Sequence, residues 1–287
     1  MKFGFMYVHR NEFHVDRMAK VMQVSQSGYY KWVRKLEAPP TEKELEDQAL
    51  KDKIFELFRQ SKGSYGSRKI TSLINKEWKS AVNHKRVERI MRENDLFSRT
   101  AKKYDCLTDS DHEYPISDNI LNRDFTASGP NQKMVSDTTE IDTDEGKLYV
   151  AGILDLYGRM PAGLAISTHN DRYLVMQALE DALARGFRGK GCLIHSDRGS
   201  TYCCEEYQKL LQKNGFVCSM SRKGNCWDNA PMESFWGKMK TEWLQSRYRT
   251  RKEAIRDIYE YVWSFYIYQR PHEAIHYLTP HQYWQAA

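Results

Sequence analysis

KMVSDTTEIDTDEGKLYVAGILDLYGRMPAGLAIS, residues 133–167, decides the fold. It holds three strand-like segments, 133–141, 147–158 and 159–167, joined by the tight connections of a meander. Downstream the type alternates. RYLVMQALEDALARG (172–186) and EEYQKLLQKNG (205–215) read as helices ended by Gly186 and Gly215. GCLIHSD (191–197) and FVCSMS (216–221) read as short strands, and further helices are expected at 229–244 and about 250–268. A meander followed by helix–strand–helix–strand–helix predicts a mixed five-stranded α/β sheet with flanking helices.

Upstream of this stretch the pattern is helical throughout. HVDRMAKVMQVSQSGYYKWVRKL (14–36) reads as a helix-turn-helix, with Met18, Val21 and Met22 on one face and Ser25 or Ser27 as the cap of its second helix. EAPPTE (37–42) breaks it, and 43–60 resumes as a helix with Leu50, Ile54, Leu57 and Phe58 inward. YGSRKITSLINKEWKSAVNHKRVERIMREN (65–94) predicts two helices, one striped by Ile70, Leu73 and Ile74 and one by Val87, Ile90 and Met91, with a turn around 79–83. Residues 105–131 are polar and irregular and read as a linker.

Charge follows the same division. Residues 1–104 carry 23 of the 44 Lys and Arg but 13 of the 38 Asp and Glu, so the front is basic and the back mildly acidic. Within 62–104, twelve basic side chains face four acidic ones, and Lys85, Arg86, Arg89 and Arg92 share one helix, which can lie against phosphates. At 287 residues the chain suits two domains, and mean hydropathy −0.74 with no long apolar run predicts a protein of aqueous compartments. The N-terminus lacks the apolar core of a secretion signal. The six cysteines form no CxxC and no zinc spacing with histidine, and are expected as reduced thiols.

Three carboxylates stand out. Asp137 lies in the first strand among Met134, Val135 and Ile141; Asp197 follows the apolar CLI of 192–194; Glu233 is on the helix bearing Met232, Phe235, Trp236 and Met239. An unpaired charge beside packed apolar structure is costly, and coordination by hard divalent ions such as Mg²⁺ removes that cost. Two such ions can activate the attacking oxygen and stabilise the leaving oxygen in phosphodiester chemistry. Lys240, seven residues past Glu233, shares nearly its helical face and is placed to meet a DNA phosphate. Asp155 also follows an apolar run and is expected in a turn or capping role.

The order strand–Asp, strand–Asp, helix–Glu, with 35 residues between Asp197 and Glu233, resembles the DDE transposases and retroviral integrases with their RNase H-like core. HSDRGSTY (195–202), SMSRKGNCWDNAPMESFWGKMKTE (219–242) and YIYQRPHEAIHYLTPHQYW (266–284) are similar to the orfB product of the IS-three insertion-sequence family, and VMQVSQSGYYKW (21–32) to its helix-turn-helix segments. The resemblance covers nearly the whole chain. It implies that Asp137, Asp197 and Glu233 are the catalytic, metal-binding triad for two Mg²⁺ or Mn²⁺ ions, and that Lys240 and Arg198 meet DNA. It implies loop-shaping or supporting hydrogen-bond roles for His195, Gly199, Asn225, Asp228 and Asn229.

The implied division is a helix-turn-helix segment at 1–40, a second helical DNA-binding domain at 41–104, a linker at 105–131, an RNase H-like core at 132–245 and a C-terminal helical extension at 246–287. Two departures from the family pattern exist. Met134-Val135-Ser136 stands where a tryptophan usually precedes the first Asp, and Tyr266-Ile267 where Tyr-Asn usually precedes the C-terminal Arg270.

The implied activity is metal-dependent cleavage at insertion-sequence ends, then strand transfer by the freed 3′-OH. The implied partners are double-stranded DNA (terminal inverted repeats and target), further copies of the chain on that DNA, and the orfA product. The implied setting is the bacterial cytoplasm, at the nucleoid, with no membrane. The rivals are a catalytically silent transposase-derived DNA-binding protein and an RNase H-like nuclease without strand transfer.

Overall fold

The computed structural model describes residues 1–99, 114–223 and 225–286, so Cys106 and the first part of the expected linker lie outside the described residues. Two compact units divide the chain, Met1–Lys53 and Ile54–Ala287.

The first unit holds α1 (Lys2–Val8), α2 (Val15–Val21), α3 (Gln26–Glu37) and the start of α4 (Glu42–Gln60). Met6, Met18, Ala19 and Tyr29 form its core. Ser25 caps α3, its Oγ accepting the Gly28 N–H at 3.1 Å. Val21, expected inward, is instead exposed. The buried face of α2 is centred between Met18 and Ala19; at roughly 100° per residue Met22 falls on that face and Val21 well outside it.

In the second unit α4 buries Ile54 and Leu57, α5 (Ser67–Glu77) buries Ile70 and Ile74, and α6 (His84–Glu93) buries Val87, Ile90 and Met91. Asn83 caps α6 by accepting the Lys85 N–H. The sheet follows: β1 (Lys133–Ile141), β2 (Leu148–Asp155), β3 (Met160–Ser167), then α7 (Arg172–Ala184), β4 (Leu193–Ser196), α8 (Ser200–Cys203), α9 (Glu205–Lys213) and β5 (Val217–Met220). Strand order is β3-β2-β1-β4-β5. The meander pairs antiparallel, and β4 and β5 join it in parallel through helical crossovers. Asp155 takes the turn role expected of it, its carboxylate accepting the backbone N–H of Asn131 and of Tyr157.

Alternation along β1 separates two faces. Met134 and its neighbours of like parity meet the core under α7, which approaches closely because Gly163 has no side chain: a Cβ there would stand 2.1 Å from the Ala178 carbonyl oxygen. Val135 and Asp137 face the other way, toward α10 (Ala230–Glu242), which follows a 3₁₀ turn at Cys226–Asn229. α10 buries Met232, Phe235, Trp236 and Met239. Behind it lies α11 (Arg251–Glu260), continued as one widened π turn, Tyr261–Tyr266, whose aromatic rings meet α10: Phe235 packs edge-on against Tyr266, and Trp243 stacks on Phe265 with centroids 4.4 Å apart. α12 (Pro280–Gln285) ends the fold, capped by Thr279. Cys192, Cys203 and Cys204 are buried free thiols. Among the described residues no helix is long and apolar enough to cross a membrane.

Candidate active site

The register of the parallel pair brings two of the three carboxylates together. Val135 lies opposite His195, so two residues further along each chain Asp137 and Asp197 fall side by side and on the same face. Gly199 donates its N–H to Asp197 Oδ1 at 2.9 Å and so orients that carboxylate at the N-terminus of α8. Across the antiparallel pair, Asp137 lies opposite Gly152.

Besides its contact with β1, α10 comes close to the sheet at Gly152 of β2. A Cβ there would stand 2.7 Å from Trp236 Cη2 and 3.4 Å from Met232 Cε. Glu233 lies between these two contact residues in sequence, but its side chain is exposed rather than within the buried face. On a helical wheel Met232 and Trp236 flank the contact line, and Glu233 and Lys240 fall together on its edge, roughly 80–100° from Met232. The apolar face thus fixes the helix and the carboxylate stands at its rim. We expect Gly152→Ala to force α10 outward. It should cost about 1–3 kcal/mol by overpacking and lower activity more than DNA binding, measured by urea unfolding beside a strand-transfer assay.

Asp137 is electrostatically coupled to both other acids. The Asp137 carboxyl is held well above the usual carboxylate range, first by burial, then by the charge of Asp197, and also by Glu233. The Thr138 N–H and the Trp236 indole oppose this shift. Lys240 is half-buried, and desolvation lowers its ammonium while Glu140, Asp142 and Asp137 support the charged form. Among the described residues no three His, Cys, Asp or Glu side chains are arranged to enclose one ion.

The loop and strand residues flagged in sequence have definite places. His195 is fully buried between β4 and β5. Ser219 Oγ accepts the N–H of Ile120 and of Leu121, so its own proton goes to His195 Nδ1 at 2.9 Å. Nε2 then carries the ring hydrogen and donates to Ser221 Oγ at 3.0 Å, which donates in turn to the Ser196 carbonyl. Burial lowers His195 to about 4, so the ring is neutral. Its unfolded value, 6.5, is higher, so acid protonates the unfolded chain first. The stability it contributes is complete above pH 6.5 and lost as pH falls toward 4. Relative to His195→Asn, the wild type should therefore lose about 3 kcal/mol of its advantage over that window, read from urea unfolding across pH.

Asp228 is buried, yet its carboxylate stays ionised: Arg222, which donates through Nε, Nη2 and its backbone N–H, holds it far below the usual range, with help from Arg123. Arg123 Nε donates at 2.8 Å, and Asn119 completes the set. Asn225 accepts from Arg123 Nη2 at 2.9 Å. Asn229 donates to the Ser136 carbonyl at 3.0 Å, pinning the start of α10 to the residue beside Asp137. Arg198 spends its Nε on the Ser221 carbonyl.

Sequence reasoning missed Asn119, Arg123, Arg222, Ser136, Ser219 and Ser221. The described part of the expected linker, residues 114–131, forms no helix or strand but is fastened to β5 and to Asp228. On α6, Lys85, Arg89 and Arg92 make one exposed stripe opposite the buried one; Arg86 is half-buried at its edge, and Arg89 pairs with Glu93 at 3.5 Å.

The chain matches known families over both regions. A model of the integrase core domain matches residues 127–226, another integrase core domain model matches 214–280, and an HTH-like domain matches 44–104. The chain is 33% identical over 284 residues to the transposase InsF for insertion sequence IS3A of Escherichia coli (strain K12), covering 99% of this chain and 98% of that one. It is 38% identical over 264 residues to the insertion element IS600 uncharacterized 31 kDa protein of Shigella sonnei, covering 92% and 96%. Among solved structures, the HTLV-2 integrase catalytic core domain in complex with magnesium (trimeric form) aligns with 55% of this chain and 98% of that chain, at 14% identity and TM-score 0.43. Fold and family models together define a DNA transposase of the DDE type, a polynucleotidyl transferase with an integrase core. The chain belongs to the transposases of the IS3 insertion-sequence family.

Proposed function

We propose that Asp137, Asp197 and Glu233 are the catalytic carboxylates of this transposase and hold two Mg²⁺ or Mn²⁺ ions. The observation that carries this reading is the convergence itself: Asp137 and Asp197 are adjacent by register, and Asp137 bears repulsion from both other acids. Such a concentration of oxygen ligands and negative charge fits hard divalent cations, which keep further positions for water and phosphate. When bound, these ions supply Lewis acidity to the attacking and leaving oxygens of a displacement at phosphorus.

The chain's own residues do the positioning. Gly199 orients Asp197, Asn229 fixes the start of α10 beside Asp137, and the packing of Trp236 on Gly152 sets where Glu233 stands. Lys240 and Arg198 contact phosphates near the scissile bond. Lys85, Arg86, Arg89 and Arg92 hold the flanking duplex. Water attacks the phosphodiester at an element end and releases a 3′-OH. That hydroxyl attacks a second phosphodiester and displaces a 3′-oxygen, so no covalent protein–DNA link forms.

The substrates are the terminal inverted repeats and target DNA, engaged by more than one copy of the chain, with the orfA product as a further partner, in the bacterial cytoplasm at the nucleoid. The division into helix-turn-helix segments at 1–40 and 41–104, a linker at 105–131, a core at 132–245 and an extension at 246–287 belongs to this reading.

The test is a strand-transfer assay with end-containing duplex and Mg²⁺ or Mn²⁺. Joined products are expected, with binding that weakens steeply with salt. Nicking without joining would point to a nuclease, and binding without nicking to a silent DNA-binding protein.

A further inference from the structure

A second charged cluster lies away from the three acids. Glu242, at the C-terminal end of α10, accepts both Arg270 Nε at 2.5 Å and Arg270 Nη2 at 2.6 Å, and also Lys69 Nζ of α5 at 3.0 Å. One turn earlier on the same face of α10 is Lys238, within electrostatic reach of Arg270, Lys69 and Arg159. Arg159, in the turn between β2 and β3, is held at φ +56°, a left-handed conformation uncommon for a side chain of this kind. Among the described residues neither Lys238 nor Arg159 has a hydrogen-bond or ion-pair partner.

His272 lies within electrostatic reach of the same four cations, and its Nδ1 is buried with no partner among the described residues. The ring is 8% exposed. Among the described residues this group of four cations is faced by one buried carboxylate, Glu242, since Glu273, which also reaches Lys69, is exposed. An excess of half-buried positive charge and an orphaned ring nitrogen is costly unless an anion completes it. Burial and its cationic neighbours lower the Lys238 ammonium to about 8, in keeping with a charge that lacks its counterpart.

We propose that Arg159, Lys238 and a His272 Nδ1–H form a phosphate-binding site, separate from the acidic site, that takes one phosphate group of bound DNA. A phosphate offers several acceptor oxygens and up to two negative charges to a guanidinium, an ammonium and an imidazole N–H. Because Lys69 and Glu242 join α5 to α10 here, a phosphate in this place would register DNA held by the helical region against the helix that carries Glu233. The DNA part of the proposal rests on the function proposed above, whereas binding of phosphate itself does not.

The test compares the full chain with an Arg159→Gln/Lys238→Gln double variant. Inorganic phosphate, against chloride of equal ionic strength, should raise the melting temperature of the wild type by several degrees and leave the variant unmoved. In chloride the variant should melt higher than the wild type, since two mutually repelled cations are gone. With end-containing duplex, the slope of log Kd against log salt should fall by about one. Loss of the phosphate response with an unchanged slope would keep the anion site but overturn DNA as its source. An equal phosphate response in both proteins, or a variant that melts lower in chloride, would overturn the site. Arg159→Gly, which suits the left-handed backbone, answers the same questions should the double variant fail to fold.

Discussion

Alanine at Asp137, Asp197 or Glu233 should abolish both cleavage and joining, by at least about 10³-fold, equivalent to about 4 kcal/mol of barrier, while duplex binding changes little. The two losses should be equal because both steps use one site. Stability should move the other way at Asp137. Its carboxyl is half-buried and repelled by Asp197 and Glu233, so the metal-free wild type bears a cost that Asp137→Asn removes. A dead enzyme that melts at or above the wild-type temperature is the signature of a functional carboxylate held in an unfavourable place. A structural carboxylate would lose stability along with activity. Retained activity in any one of the three alanine variants would remove that residue from the site.

The largest effect on stability should come from Glu242. Arg270 is 2% exposed, and Glu242 takes both of its forked donors while also receiving Lys69. Desolvating such a pair consumes much of its attraction, so its presence is no measure of net stabilisation. Breaking it is different. Glu242→Ala would leave the Arg270 guanidinium buried near Lys69 and Lys238 without its carboxylate partner, and should cost about 3–5 kcal/mol. Lys69→Ala should cost far less, because that ammonium is partly exposed and Glu242 keeps Arg270. Urea unfolding of the two variants separates the cases. A loss below about 1 kcal/mol for Glu242→Ala would show that the pair is screened by solvent.

How much of this was legible in the sequence depends on the range of the interaction. The meander, the two parallel strands and the helices around them followed from period-2 and period-3.6 patterns, and helix ends from Gly186 and Gly215, both at positive φ. The three acids stood out because each interrupts a local apolar pattern, and register then sets Asp137 beside Asp197. Periodicity did not place Glu233 at the rim of α10, nor Val21 outside the core of α2, since a short helix shows where its apolar side chains are but not how wide a face its neighbours cover. The fastenings of the site were invisible. Asn229 to Ser136 spans 93 residues and Arg123 to Asp228 spans 105, and no local rule pairs groups so far apart. His195 and Asp228 were flagged by resemblance alone. In the fold the first is a neutral strand-to-strand strut and the second an ion-paired anchor. The π turn at Tyr261–Tyr266 has no sequence signature in an otherwise helical run.

The most direct test of the acidic site is anomalous scattering from crystals of the full chain grown with Mn²⁺. A peak is expected between the carboxylates of Asp137 and Asp197, lost in Asp197→Ala. Mn²⁺ bound only elsewhere on a chain that still joins DNA would contradict it.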